Sequence, residues 1–198
     1  MKTLAKTLFA SALTAVLLSS AAMAGQTPEN KTATFKTISP VTFNKILITG
    51  NVKLIVAQGA KESVSVDGDY DQSKTSIKKR GYTLVINSSE STPVTIRVSV
   101  KDLQRIDASN SVNVVTSGKI DVKYLQVFLK DDAKADVKAN TESLYTYITG
   151  NADLKLSGAT QDYTSLKDKL SKLNQENLAA LKSTTDSVKS PVMVAKAK

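Results

Sequence analysis

The chain has 198 residues, with 27 Lys and Arg against 18 Asp and Glu for a formal charge of +9, and no His, Cys or Trp. Without His or Cys there are no disulfides, thiol nucleophiles, imidazole bases, or imidazole and thiolate zinc ligands. Six Tyr and four Phe, none interleaved with a basic run, argue against a nucleic-acid surface and leave the positive charge to anionic glycans, a membrane surface or plain solvation.

Lys2 and Lys6 precede an apolar stretch from Leu8 to Leu18, and Ala22 and Ala24 put small residues where a signal peptidase reads. This pattern predicts an export signal over residues 1–24, cleaved between Ala24 and Gly25. An uncleaved anchor would need about 20 apolar residues, and this core is shorter and broken by Ser11 and Thr14. Losing the two signal lysines takes the charge from +9 to +7. No later segment is apolar enough to span a bilayer, and no cysteine is present to carry a lipid, so a periplasmic or secreted product is expected.

Residues 25–42 read as a polar leader, residues 43–164 as one β domain, and residues 165–198 as a separate basic segment. From Phe43 onward apolar residues alternate with polar ones: Val52, Leu54 and Val56; Val64 and Val66; Leu84 and Ile86; Val94, Ile96, Val98 and Val100; Leu125, Val127 and Leu129. Period two marks strands with one buried face, and Gly50-Asn51, Gly59, Gly68, Gly81, Gly118 and Gly150-Asn151 separate them as turns.

Two charged strings interrupt this pattern. Asp67, Asp69 and Asp71 alternate like the start of a calcium loop, but Gln72 and Lys78 stand where the sharp-turn Gly and the bidentate Glu belong. The string reads either as a solvated turn or as a weak calcium site. Lys78, Lys79 and Arg80 form the densest basic patch in the domain; they either protect a strand edge or meet the phosphate and carboxylate groups of envelope glycans.

Four segments superimpose, beginning at Ile48, Ala108, Leu129 and Ile148; each is an apolar or small residue, a polar turn and an alternating strand. Their last three recur about 20 residues apart, a repeat period, and stacking would align Val52/Val112/Ala133/Ala152, Leu54/Val114/Ala135/Leu154 and Val56/Thr116/Val137/Leu156. The expected fold is all-β, a right-handed parallel β-helix (β-solenoid) of about 20 residues per coil; an antiparallel sandwich is the competing architecture. After Thr164, the capping pattern Ser165 to Asp168 and the apolar residues Leu166, Leu170, Leu173, Ala180 and Leu181 predict a short C-terminal helix, followed by a loose tail. Continuation of the β pattern is the other reading.

The order of elements, from Phe43 to Ile46, Ile48 to Gly59, Glu62 to Asp69, Thr83 to Ile86, Leu103 to Ile106 and Ile148 to Gly158, resembles the autotransporter-adhesin head domain, or GIN domain, of Bacteroidetes. The resemblance spans Phe43 to Thr164 and implies an exported parallel β-helix with no assigned activity. Asn110-Ser111 and Asp131-Asp132 replace the family's Ser-Gly turns, and the pattern marks turns and core, so it carries no functional residue across.

No catalytic residue, metal ligand or cofactor site is nominated. Asp131 and Asp132 are the one adjacent carboxylate pair at a repeat turn, where turn chemistry competes with a glycosidase role. The expected function is an exported non-enzymatic binding or structural module, adhesin-like or envelope-associated. Its expected partners are anionic envelope glycans or another envelope protein, not nucleic acid. The alternatives are a polysaccharide-acting enzyme and a periplasmic interaction module that docks through its C-terminal segment.

Overall fold

In the computed structural model, residues 35–38 (backbone only) and 42–188 are described; the expected cleavage site at Ala24 and Gly25, nearly all of the leader and the end of the tail lie outside them. Thirteen strands follow in chain order: β1 (Phe35–Ile38), β2 (Lys45–Gly50), β3 (Val52–Gln58), β4 (Ser63–Asp67), β5 (Thr75–Arg80), β6 (Thr83–Ser88), β7 (Val94–Val100), β8 (Arg105–Ser109), β9 (Asn113–Thr116), β10 (Ile120–Leu129), β11 (Lys134–Ile148), β12 (Asp153–Lys167) and β13 (Lys172–Ser187). All belong to one sheet, ordered β1-β4-β7-β3-β9-β11-β10-β8-β2-β6-β5, with β12 laid on β11 and β13 on β12.

The pairing corrects the expected fold class. The sheet is mixed and curled like a half-barrel, not a right-handed parallel β-helix. Three junctions are antiparallel: β1 with β4, β4 with β7, and β5 with β6. The cause is local at the last of these. Arg80 pairs with Thr83 across the two-residue turn Gly81-Tyr82, where Gly81 has φ of 58°, and a turn this short can only return the chain antiparallel.

One of the expected residue ladders nonetheless runs through the parallel part. Leu54 pairs with Val114, Val114 with Ala135, Ala135 with Leu154, and Leu154 with Leu173. Leu54, Val114 and Leu154 are fully buried. Alternation puts one side chain in two on the inner face, and parallel pairing stacks like on like.

The expected C-terminal helix is also overturned: no helix occurs among the described residues, and β13 runs parallel to β12 along its whole length. Its backbone is templated by the free edge of β12, and a bulge opposite Leu156 breaks the period-two pattern.

Burial parity switches once within β10, β11 and β12, between Ile120 and Leu125, Ala139 and Leu144, and Thr160 and Tyr163. The strands turn a corner there, and Lys123, Glu142, Gln161 and Leu181 drop out of the pairing register at the same place. Beyond the corner the interior is partly polar. Thr146 Oγ1 donates to Ser165 Oγ at 2.9 Å and lies 3.1 Å from the Tyr163 hydroxyl, all three being buried. Burial pushes the Tyr163 phenol up in pKa, against the lowering effect of the hydrogen bonds with Ser165 and Thr146, so the tyrosine stays neutral.

Candidate functional site: an aromatic and basic outer face

The strand register assembles one outward face from seven strands. Along one row Arg80 is followed by Thr83, Lys45, Arg105, Gln126, Tyr145 and Thr164. Along the next, Lys78 is followed by Val85, Leu47, Asp107, Phe128, Tyr147 and Leu166. The row between them, Leu84, Ile46, Ile106 and Val127, points the other way and is buried. Residues far apart in the chain are thereby brought to neighbouring positions about 4.8 Å apart across each strand pair.

At the centre of this face the Phe128 ring lies 5.7 Å from that of Tyr145 and 5.9 Å from that of Tyr147, at interplanar angles of 47° and 37°. The Arg105 guanidinium sits 4.6 Å above the Phe128 ring. Gln126 holds it there, its Oε1 accepting from Nε at 2.9 Å and Nη2 at 2.7 Å. Lys130 pairs with Asp107 at 3.7 Å, and Tyr124, 61% exposed, extends the aromatic surface along β10. Flat π faces beside fixed cations can stack against the apolar side of a sugar ring while pairing with an acidic substituent.

The basic string divides on this geometry. Lys78 and Arg80 belong to the outward face, whereas Lys79 pairs with buried Leu84 and so lies on the opposite one. Phe128, Tyr145 and Tyr147 carry no motif that marks them in the sequence. The signal was present: Phe128 and Tyr147 are one repeat period apart, and Tyr145 precedes Tyr147 by the two-residue strand period.

The acidic strings are engaged elsewhere. Asp67 is held by Arg97, with Nη2 at 2.9 Å and Nε at 3.0 and 3.1 Å from its carboxylate oxygens. Asp71 accepts from the Ser73 hydroxyl at 2.6 Å and the Ser73 amide at 2.8 Å, which holds its carboxyl below the ordinary range. With Asp69 and Glu90 they line an open depression, but among the described residues no three acidic side chains are grouped so as to hold a metal ion.

Asp131 and Asp132 stitch turns together. Asp131 has φ of 61°, matching Asn110 at 62° and Gly150 at 73° in the equivalent turns, and its carboxylate accepts the Asn110 amide at 3.2 Å. Asp132 accepts from the Asn151 side chain at 3.1 Å. In this role they resemble Asp168, which takes the amides of Gly150 at 2.7 Å, Ser171 at 2.9 Å and Leu170 at 3.1 Å. Desolvation raises the Asp168 pKa, but the hydrogen bonds outweigh it and leave it lowered.

The family described as "Putative auto-transporter adhesin, head GIN domain" matches residues 42–188. The chain belongs to this family. The match reaches past Thr164 to the end of β13, so the C-terminal strand is part of the GIN domain. Solved structures of the same fold include a "putative lipid binding protein" from Parabacteroides distasonis, 11% identical with a TM-score of 0.60, over 80% of this chain and 79% of that one. A "putative adhesin" from the same species is 15% identical with a TM-score of 0.59, over 78% of each chain. Another, from Parabacteroides merdae, is 14% identical with a TM-score of 0.56, over 80% of this chain and 78% of that one. No curated protein matches.

Proposed function

We propose that this GIN-domain protein is an exported, non-enzymatic adhesin-like module that binds acidic glycans of the cell envelope across its outward face. In this reading residues 1–24 are removed at Ala24-Gly25, residues 25–42 form a leader, and the described strands act in the periplasm or outside the cell. The observation that carries it is the register that aligns Lys78, Arg80, Lys45 and Arg105 with Phe128, Tyr145 and Tyr147 on a single face. The adhesin names of the family and of two structural neighbours support the same class of function. The engagement of Asp131 and Asp132 within turns weighs against the polysaccharide-cleaving alternative.

A glycan array probed with residues 25–198 at low and high salt tests the proposal. Selective binding to uronic-acid or phosphorylated glycans should survive salt in part, and Phe128→Ala should remove the surviving part, because stacking is not screened. Binding abolished by salt for every acidic glycan alike, with no dependence on Phe128, would leave only a basic surface and reject the proposal.

A further inference from the structure

β13 ends the parallel array: among the described residues it pairs only with β12. Half of its backbone N–H and C=O groups point to β12 and half point away, over 16 residues. Its inward residues Leu173, Leu178 and Ala180 are only half-buried, since no further strand among the described residues covers them, and Leu181 is 84% exposed.

We infer that this edge pairs antiparallel with the same edge of a second copy of the chain, about a two-fold axis at Ala179. The occupant is set by the sequence of the strand itself. With Ala179 opposite its own copy, Lys172 falls opposite Asp186, twice by symmetry. Leu178 meets Ala180, Leu173 meets Thr185, and Asn174 meets Thr184.

The faces agree as well. Leu173, Leu178, Ala180 and Thr185 continue the inward rows of Leu154, Gly158, Thr160 and Ser165. Lys172, Asn174, Ala179, Thr184 and Asp186 continue the outward ones. Two parity breaks, the bulge at Gln175-Glu176 and the corner at Leu181, flank Ala179 on either side, so inward meets inward and outward meets outward at every position but one, where Glu176, opposite inward Leu156, meets Lys182, opposite outward Asp162. A slip of one residue would set inward against outward side chains, and a slip of two would lose the charge pair.

The pairing leaves the outward aromatic face of each copy free and would present two of them together, so it is independent of which ligand that face takes.

Sedimentation velocity on residues 25–198 tests the inference. The wild type should form a dimer. Lys172→Glu and Asp186→Lys should each weaken association by at least about tenfold, because each sets like charges opposite one another twice. An equimolar mixture of the two single variants should dimerise again, as should the double variant, since either arrangement restores opposite charges. Recovery in the mixture also shows that each variant is folded. A wild type that stays monomeric, a dimer indifferent to both reversals, or singles that remain monomeric when mixed would overturn the inference. So would a dimer that appears only after residues 189–198 are removed, which would make the chain's own tail the cover of this edge.

Discussion

Two of the sheet's free edges leave the same chemical problem and answer it in opposite ways. β5 and β13 each have one paired and one unpaired side among the described residues. β5 is six residues long and carries Lys78, Lys79 and Arg80 in succession, so a second copy of that edge would bring cation against cation. Lys79 adds a charge on the inward side, opposite Leu84, where another apolar strand would otherwise stack. β13 is 16 residues long, carries Lys172 at one end and Asp186 at the other on the same face, and sets opposite charges together when paired with itself. The contrast teaches that charge on an edge strand does not by itself block pairing; the order of the signs decides.

The comparison can be broken most severely from beneath β13. Leu154 is fully buried between Ala135 and Leu173, and Leu154→Ala should lower stability in urea unfolding by about 3 kcal/mol, removing the platform on which β13 rests. Leu173→Ala, at a half-buried position, should cost about 1 kcal/mol in the same measurement. Equal losses at the two sites would mean that β13 is covered as fully as β12.

A smaller effect is expected from the hydroxyl row beyond the corner. Ser165→Ala leaves Thr146 without its acceptor in an enclosed site and should cost about 1–2 kcal/mol, whereas β13's Thr185, which continues the row but is exposed, should tolerate Ala with little change. At the other end, Lys79→Val should leave the urea midpoint nearly unchanged yet make the protein associate, measured by light scattering as a function of concentration.

The smallest effect concerns pH. The folded pKa of Asp168 lies below the ordinary carboxylate value of 3.8, so the unfolded chain binds its proton first as pH falls. Its stabilising contribution is complete above that value and is lost as pH drops through the folded pKa. Asp168→Asn should therefore flatten the acid limb of a stability–pH curve and lower stability at neutral pH, with no new dependence above pH 5.

Much of this structure was legible in residues that alternate and repeat. The column Leu54, Val114, Ala135 and Leu154 could be read from spacing because parallel pairing stacks equivalent positions, and the turn column was legible because Gly150, Asn110 and Asp131 all tolerate positive φ. The C-terminal segment misled for a physical reason. Leu170 and Leu181, counted on a helical face, sit exposed at a turn and a corner, and the bulge at Gln175-Glu176 shifts the strand period toward one that mimics a helix. The antiparallel junctions were hidden because a short apolar run reads the same in either direction. The aromatic face was hidden because only the sheet order sets Arg105 beside Phe128.

That face carries the functional account, and neighbouring cations on β5 test it most directly. Lys78 and Arg80 share the face with Phe128 and Tyr147, while Lys79, between them in sequence, lies on the other side. Titration of residues 25–198 with an acidic polysaccharide, followed by calorimetry, should show weaker binding for Lys78→Gln and Arg80→Gln and unchanged binding for Lys79→Gln. Equal losses for all three would contradict the account, because binding would then follow net charge and not the face.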